Sequence, residues 1–357
     1  MQVTRPHAHD ATIERLWRAA RAGRLPHALL FEGRAGIGKH LAARWFALGC
    51  LCARGPGEPC GTCGPCRRMA SGGERGNHPD LFLIDPLLEG EERIRIGRIA
   101  ERAQTGEDAE PEQSLAAFLA LRPLEGALRV VLVRECHRMN VPAQNALLKT
   151  LEEPRAGTLM VLETHRPAAL LATIKSRCIR IRFAALAQEP CERILLAAGI
   201  EPEAARELAR LSEGSPGQAL AMAQNGTREL RDRLVAVVRR ERFPLETATE
   251  LWELEADFRG KSAAAGERER ARVVLELAQA LVRDAWRLKA GIAAAGLPHG
   301  ADVGELAARF DAQELVRQGE WLALARVDVE RNLAPVALLE RALLLLAEGV
   351  PRAVRPR

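Results

Sequence analysis

Gly33-Arg34-Ala35-Gly36-Ile37-Gly38-Lys39-His40 has the glycine spacing and the lysine of a phosphate-cradling loop. Ala28-Leu29-Leu30-Phe31-Glu32 before it reads as a short buried strand, and Leu41 to Leu48 after it as the start of a helix, which is the context such a loop requires. A working loop of this kind presents backbone N–H groups and its lysine to a nucleotide's phosphates, and a following Ser or Thr hydroxyl coordinates Mg²⁺. His40 stands in that last place. An imidazole is a poor ligand for a hard, oxygen-seeking cation, so Gly33, Gly36, Gly38 and Lys39 leave phosphate binding open while His40 argues against metal-assisted hydrolysis.

Working outward, Ile13, Leu16 and Ala20 lie at helical spacing within 11–21, and Gly23 ends that helix before Leu25-Pro26-His27. Leu81-Phe82-Leu83-Ile84, Arg129 to Val133 and Thr158 to Glu163 read as further strands, with Ile179 to Phe183 alternating as a half-exposed one. Helices are expected over Ile96–Arg102, Ser114–Leu121, Pro142–Glu153 and Pro167–Lys175. Strands alternating with helices predict a doubly wound α/β domain of mostly parallel order over 1–185, carrying a cysteine-rich insert at about 50–80.

Beyond Ala185 the strand signal stops. Helical periodicity marks a small helical domain at 186–226, interrupted by Gly214-Ser215-Pro216-Gly217, and a second helical domain at 227–357. In the latter, Val274, Leu277, Leu281, Ala285 and Leu288 form one apolar face, and Leu338 to Leu346 is apolar nearly all round, which predicts burial between subunits. Gly260 to Gly266 is the expected flexible loop, and no internal repeat is evident.

With 357 residues and 47% apolar content the chain can bury two or three cores, so disorder is excluded as a class. The net charge of +5 permits contact with nucleic acid, but 52 basic residues are interleaved with 47 acidic ones and form no long basic block. Aromatics are 4% and Tyr is absent, which argues against a dedicated base-stacking sheet. No stretch reads as a signal peptide or a membrane span, so a cytoplasmic protein is expected, in which eight cysteines point to metal or thiols before disulfides.

Cys60-Gly61-Thr62-Cys63-Gly64-Pro65-Cys66 places three thiols at intervals that let them converge on one tetrahedral ion. Cys52 is the chosen fourth ligand, with Cys50 as the open alternative and His78 as a weaker one. Four thiolates with no free position suit a structural zinc; an iron–sulfur cluster or a reactive dithiol are the competing readings. The insert is hydrophilic around these cysteines, so metal ligation is expected to order it. Cys136, Cys178 and Cys191 are read as small buried residues.

A hydrolysing enzyme of this type follows its third strand with an acidic pair that holds Mg²⁺ and positions water. Here Arg134-Glu135 follows Val133, so the first acid has become a base; Glu135 alone is read as a solvated carboxylate.

Taken with Leu25-Pro26-His27-Ala28-Leu29-Leu30-Phe31, the cysteine insert, Asn145 to Pro154, Ser176-Arg177-Cys178 and Gly214 to Gly217, the chain resembles the delta-prime subunits of bacterial DNA polymerase III, in the AAA+ clamp-loader family. The matching residues span most of the first 225, and the last 130 or so resemble the family only in being helical. The resemblance implies an AAA+ P-loop domain, a helical lid and a helical collar. It implies that Arg177 reaches a neighbouring subunit's ATP as an arginine finger, a role its permanently charged fork of donors suits. It implies gamma/tau-type motor and delta subunits as partners, with the sliding clamp and primer-template DNA reached through the complex. Family motor subunits carry Thr or Ser at the position of His40, an acidic pair, and an arginine near Gly217; all are missing here, which implies a non-hydrolysing subunit. The alternative is an ATP-hydrolysing motor-type clamp-loader subunit or a related repair AAA+ ATPase acting at Lys39. A zinc-dependent nucleic-acid-binding module is the third reading, weakened by the lack of clustered basic or aromatic residues near the cysteines.

Overall fold

The computed structural model describes residues 5–73, 75–100, 114–224, 227–253, 263–294, 297–330 and 334–351. Two compact units emerge, Met1–Ile194 with Gly214–Gly217, and Leu195–Glu213 with Gln218–Arg357.

The first unit is built on five parallel strands, β1 (Ala28–Glu32), β2 (Leu81–Ile84), β3 (Arg129–Val133), β4 (Thr158–Thr164) and β5 (Ile179–Arg182), in the order β2-β3-β4-β1-β5. Every residue of β1, β3 and β4 is buried, as continuous apolar runs in a sheet covered on both faces require. Leu30, Val131, Val133, Met160 and Leu162 enter one core with Ile99, Phe118, Leu147 and Ile174. Their alternates Leu29, Phe31, Val130, Leu132 and Val161 enter the other, against Ile13 and Trp17 of α1 (Asp10–Arg21) and Phe46 and Ala47 of α2 (Lys39–Leu51). The period of two along each strand thus yields a three-layer α/β/α sandwich. At the β5 edge, Glu32 accepts from Arg180 at 3.0 and 2.7 Å and from Arg182 at 3.0 Å. Burial alone would raise its pKa, but these two guanidinium groups hold it below the ordinary carboxylate value.

Two expected helices differ. Pro167–Lys175 is a 3₁₀ turn, Pro167–Ala169, and a separate helix Ala172–Arg177. The cause is Gln144, whose Nε2 donates to Met139 O and Ala169 O while its Oε1 accepts from Leu171 N, holding Leu170 and Leu171 extended. Helix Ile96–Ile99 is short, and residues 101–102 of that expected span lie outside the described residues. The others hold closely: Asn140 Oδ1 accepts from Ala143 N to start Val141–Glu152, and Ser114 Oγ does the same for Leu115–Ala120.

The second unit is helical. Val274, Leu277, Leu281 and Ala285 are buried along Ala263–Lys289, with Leu288 partly buried, as the spacing predicts. Of the expected 260–266 loop, residues 260–262 lie outside the described residues, and the chain is already helical from Ala263. Leu339, Leu343, Leu345 and Leu346 are buried against this unit's own helices, so the all-round apolar helix Pro335–Glu348 needs no second subunit to cover it. Among the described residues, no helix is long and apolar enough to cross a membrane.

His299 in this unit is 3% exposed and its Nδ1 has no partner among the described residues. Burial, aided by the charges of Arg231 and Arg283, pushes its pKa down to about 3. The unfolded chain takes a proton at the ordinary value of about 6.5 while the folded chain does not, so stability falls as pH drops from about 6.5 towards 3. A His299→Leu variant should show a shallower acid limb of stability, by up to one proton, in denaturant titrations at several pH values; an unchanged slope would show that His299 is not the group responsible.

Candidate functional site

The loops leaving β3, β4 and β1 emerge side by side at the C-terminal edge of the sheet, where open α/β sheets bind ligands. Gly36 and Gly38 take the φ values of 73° and 93° that the loop's turns demand, and helix α2 begins at Lys39. Lys39 is buried and folded back, its Nζ donating to Gly33 O at 2.8 Å and Arg34 O at 2.6 Å. Burial lowers its pKa, offset in part by Glu135 and Glu163.

Further donors bind the carbonyls of the same loop. Ser215 Oγ donates to Ala35 O at 2.7 Å, Gly217 N to Gly36 O at 2.9 Å, and His9 Nε2 lies 2.8 Å from Ile37 O. A Cβ on Gly217 would stand 2.8 Å from Gly36 Cα, so only glycine lets the 214–217 turn sit this close.

At the two positions where a hydrolysing loop would hold Mg²⁺, His40 and Arg134 each face a carboxylate of this chain. His40 Nδ1 lies 3.0 Å from Glu163 Oε1, a carboxylate 2% exposed on β4. Arg134 Nη1 donates to Asp85 Oδ2 at 2.9 Å. Glu135, expected to be a solvated carboxylate, is instead half-buried, with φ 52° and ψ 42° turning it toward His165 Nδ1 at 3.1 Å and His137 Nε2 at 3.5 Å. Burial would raise its pKa, but the hydrogen bond and charge of His165 bring it down to about 2. Sequence reasoning overlooked Asp85, Glu163, His137 and His165. None sits in a linear motif; they meet only because β2, β3 and β4 are neighbours.

The cysteine insert follows α2. Cys52, Cys60, Cys63 and Cys66 come together with their sulfurs within 4.8 Å of one another. Zn–S bonds of about 2.3 Å set tetrahedral sulfurs about 3.8 Å apart, and Cys52 Sγ and Cys63 Sγ are 3.9 Å apart. Cys60 is drawn down to about 5 by N–H and O–H donors from Thr62 and Cys63, whereas burial and adjacent sulfurs drive Cys66 upward. Burial would raise Cys63, but backbone N–H donors from Cys66 and Ala53 bring it down as well, so Cys66 is the thiol that opposes ionisation of the set, a cost that a divalent cation would relieve. Cys50 lies outside the group, packs partly against the sheet core, and is pushed up to about 12 by burial. His78 is also outside it, its Nδ1 accepting from Asp80 N.

Apolar burial contributes to ordering the insert, beyond what its sequence suggested: Met69 is fully buried and packs with Leu48, Cys52 and Cys66. Gly49 of α2 is where the insert makes its closest approach, since a Cβ there would meet Gly57 O at 2.2 Å.

Arg177 ends the helix Ala172–Arg177 at the start of β5. Its Nη2 pairs with Glu152 Oε1 at 2.6 Å and Nη1 donates to Thr173 O at 3.1 Å, leaving the side chain 34% exposed. Cys136, Cys178 and Cys191 are buried as expected.

The family described as DNA polymerase III, delta subunit, matches residues 8–187, half of the chain. DNA polymerase III subunit delta' of Pseudomonas aeruginosa is 36% identical over 225 residues, covering 60% of this chain and 61% of that protein. The subunit delta' of Bacillus subtilis is 34% identical over 210 residues, covering 59% and 57%. The tau subunit of Escherichia coli is 36% identical over 207 residues, covering 56% of this chain and 29% of tau. The alignments thus span about three fifths of the two delta' relatives' lengths and less of tau's.

Proposed function

Because this chain belongs to the DNA polymerase III delta subunit family, with delta' proteins among its relatives, we propose that it is a non-hydrolysing, stator-like delta-prime subunit of a clamp loader. In this reading Arg177 is the arginine finger for ATP bound by an adjacent gamma/tau-type subunit, a delta subunit is a further partner, and the assembly places a sliding clamp on primed DNA. Residues 1–185 are the AAA+ domain, 186–226 its lid and 227–357 the collar through which subunits associate. The zinc held by Cys52, Cys60, Cys63 and Cys66 is structural.

One observation carries the non-hydrolysing assignment. Every position that would serve Mg²⁺ and the γ-phosphate is taken up internally: Lys39 by loop carbonyls, His40 by Glu163, and Arg134 by Asp85. Binding of ATP at Gly33, Gly36, Gly38 and Lys39 would require Lys39 to leave two hydrogen bonds. Hydrolysis would further require a carboxylate where Arg134 stands.

ATP turnover tests this, measured for the chain alone and mixed with a gamma/tau-type motor subunit. The chain alone should be inactive and the mixture active. His40→Thr should not create activity in the isolated chain, since a hydroxyl repairs one metal ligand while Arg134 keeps a positive charge at the other. Robust hydrolysis by the isolated parent or by this single variant would instead establish the motor-type ATPase reading.

A further inference from the structure

Beyond the thiolate cluster, a second group of ligating atoms converges at the sheet's C-terminal edge. Glu135 and His137 lie on the turn after β3 and His165 directly follows β4, so parallel pairing of these strands brings Glu-x-His and His together. Their ligand atoms all lie within 4.8 Å of one another. We propose that Glu135, His137 and His165 form a second, three-ligand site for a late first-row divalent cation, with Zn²⁺ as the test ion.

The two edges that meet at Glu135 Oε2 have the lengths of a tetrahedral face, and the third lies within 4.8 Å. Zn–N and Zn–O bonds of about 2.0–2.2 Å place neighbouring ligand atoms roughly 3.3 Å apart. Glu135 Oε2 lies 3.1 Å from His165 Nδ1 and 3.5 Å from His137 Nε2. Two imidazoles and a carboxylate with the remaining positions open are a donor set that such cations accept and that Mg²⁺ does not favour.

A supporting contact fixes one ring. Thr164 Oγ1 lies 3.2 Å from His137 Nδ1 and accepts from Arg166 N at 2.9 Å. When Nδ1–H donates to that oxygen, Nε2 presents its lone pair toward Glu135, the outer-shell arrangement common to metal-bound histidines. His165 must carry its proton on Nε2 for Nδ1 to ligate, so binding exchanges the His165–Glu135 hydrogen bond for two metal bonds. The His165 side chain is 23% exposed, which gives an ion a way in, while Glu135 and His137 at 14% and 7% are shielded. Arg138 Nε, 3.9 Å from Glu135 Oε2, is the competing cation that the ion must displace or tolerate.

Equilibrium dialysis of the full chain against buffered Zn²⁺, followed by metal analysis, tests the site. The parent should take up two equivalents, one in the thiolate cluster. His165→Ala and Glu135→Gln should each retain one, with second-site affinity weakened beyond the roughly 10–100-fold that outer-shell changes produce. Unfolding in metal-free buffer at the parent's midpoint shows that a variant is folded, and added Zn²⁺ should then raise the parent's midpoint more than the variant's. Saturation of the parent at one equivalent, or two equivalents retained by both folded variants, would overturn the proposal. Neither result depends on a partner subunit or on ATP.

Discussion

Replacing Arg177 with alanine should leave the isolated chain folded, its thiol cluster metallated and its assembly with motor subunits intact, while the complex loses ATP turnover. Arg177 is not a core residue: it is 34% exposed, and its ion pair with Glu152, itself 47% exposed, is of the surface kind that contributes about 0.2–1 kcal/mol. Stability should therefore shift little. The same weakness means that a γ-phosphate can draw the guanidinium away from Glu152 at small expense. Arginine fingers contribute roughly 10³–10⁵ in rate at the site they serve, and the loss summed over a complex is smaller if other sites keep their own arginines. Arg177→Lys should rescue only partly, because an ammonium keeps the charge and loses the planar fork. Steady-state turnover of the reconstituted complex decides the matter; an unmodified rate with normal assembly would return Arg177 to the role of a partner for Glu152.

The second large effect concerns the thiolate cluster. Purified chain should carry about one tightly held zinc at Cys52, Cys60, Cys63 and Cys66, and losing it should unfold the insert, since structural zinc supplies on the order of 10 kcal/mol or more in small sites. The sheet should survive, because neither of its two cores draws on Cys60, Cys63 or Met69. Amide exchange after chelation should therefore rise in residues 52–73 and stay slow in β1, β3 and β4. Cys52→Ser should lose the ion and Cys50→Ser keep it. Iron in the purified protein, or no metal with all thiols reduced, would refute the assignment.

Much of this architecture could be read in one dimension. The spans of β1, β2 and β3 were readable to the residue because Val130 to Val133 is apolar throughout and Leu81 to Ile84 is bounded by Pro79-Asp80 and Asp85-Pro86. The three clustered thiols and the glycine-rich loop are local in sequence, so their spacing alone announces them. What could not be read depends on strand order. Glu163 is the one charged residue in a strand buried throughout, and only the β1–β4 pairing brings it under His40. Glu135 looked solvated because the two imidazoles that enclose it come from His137 and, 30 positions on, His165. The break at Leu170–Leu171 was hidden for a related reason: it is imposed by a glutamine from another helix, which no local propensity records.

Gly214–Gly217 belong to the first unit, although residues 195–213 before them belong to the second. Ser215 meets Ala35 from 180 positions away, so the glycine-rich loop is clasped by a tethered ligand whose local concentration is set by the chain that leads to it. A cut or a long insertion within 195–213 would dilute that ligand without altering any atom of the loop. The loop's rigidity is thus partly a property of connectivity, and a fragment ending at 185 or 194 would contain every glycine of the motif and still lack the clasp that holds two of its carbonyls.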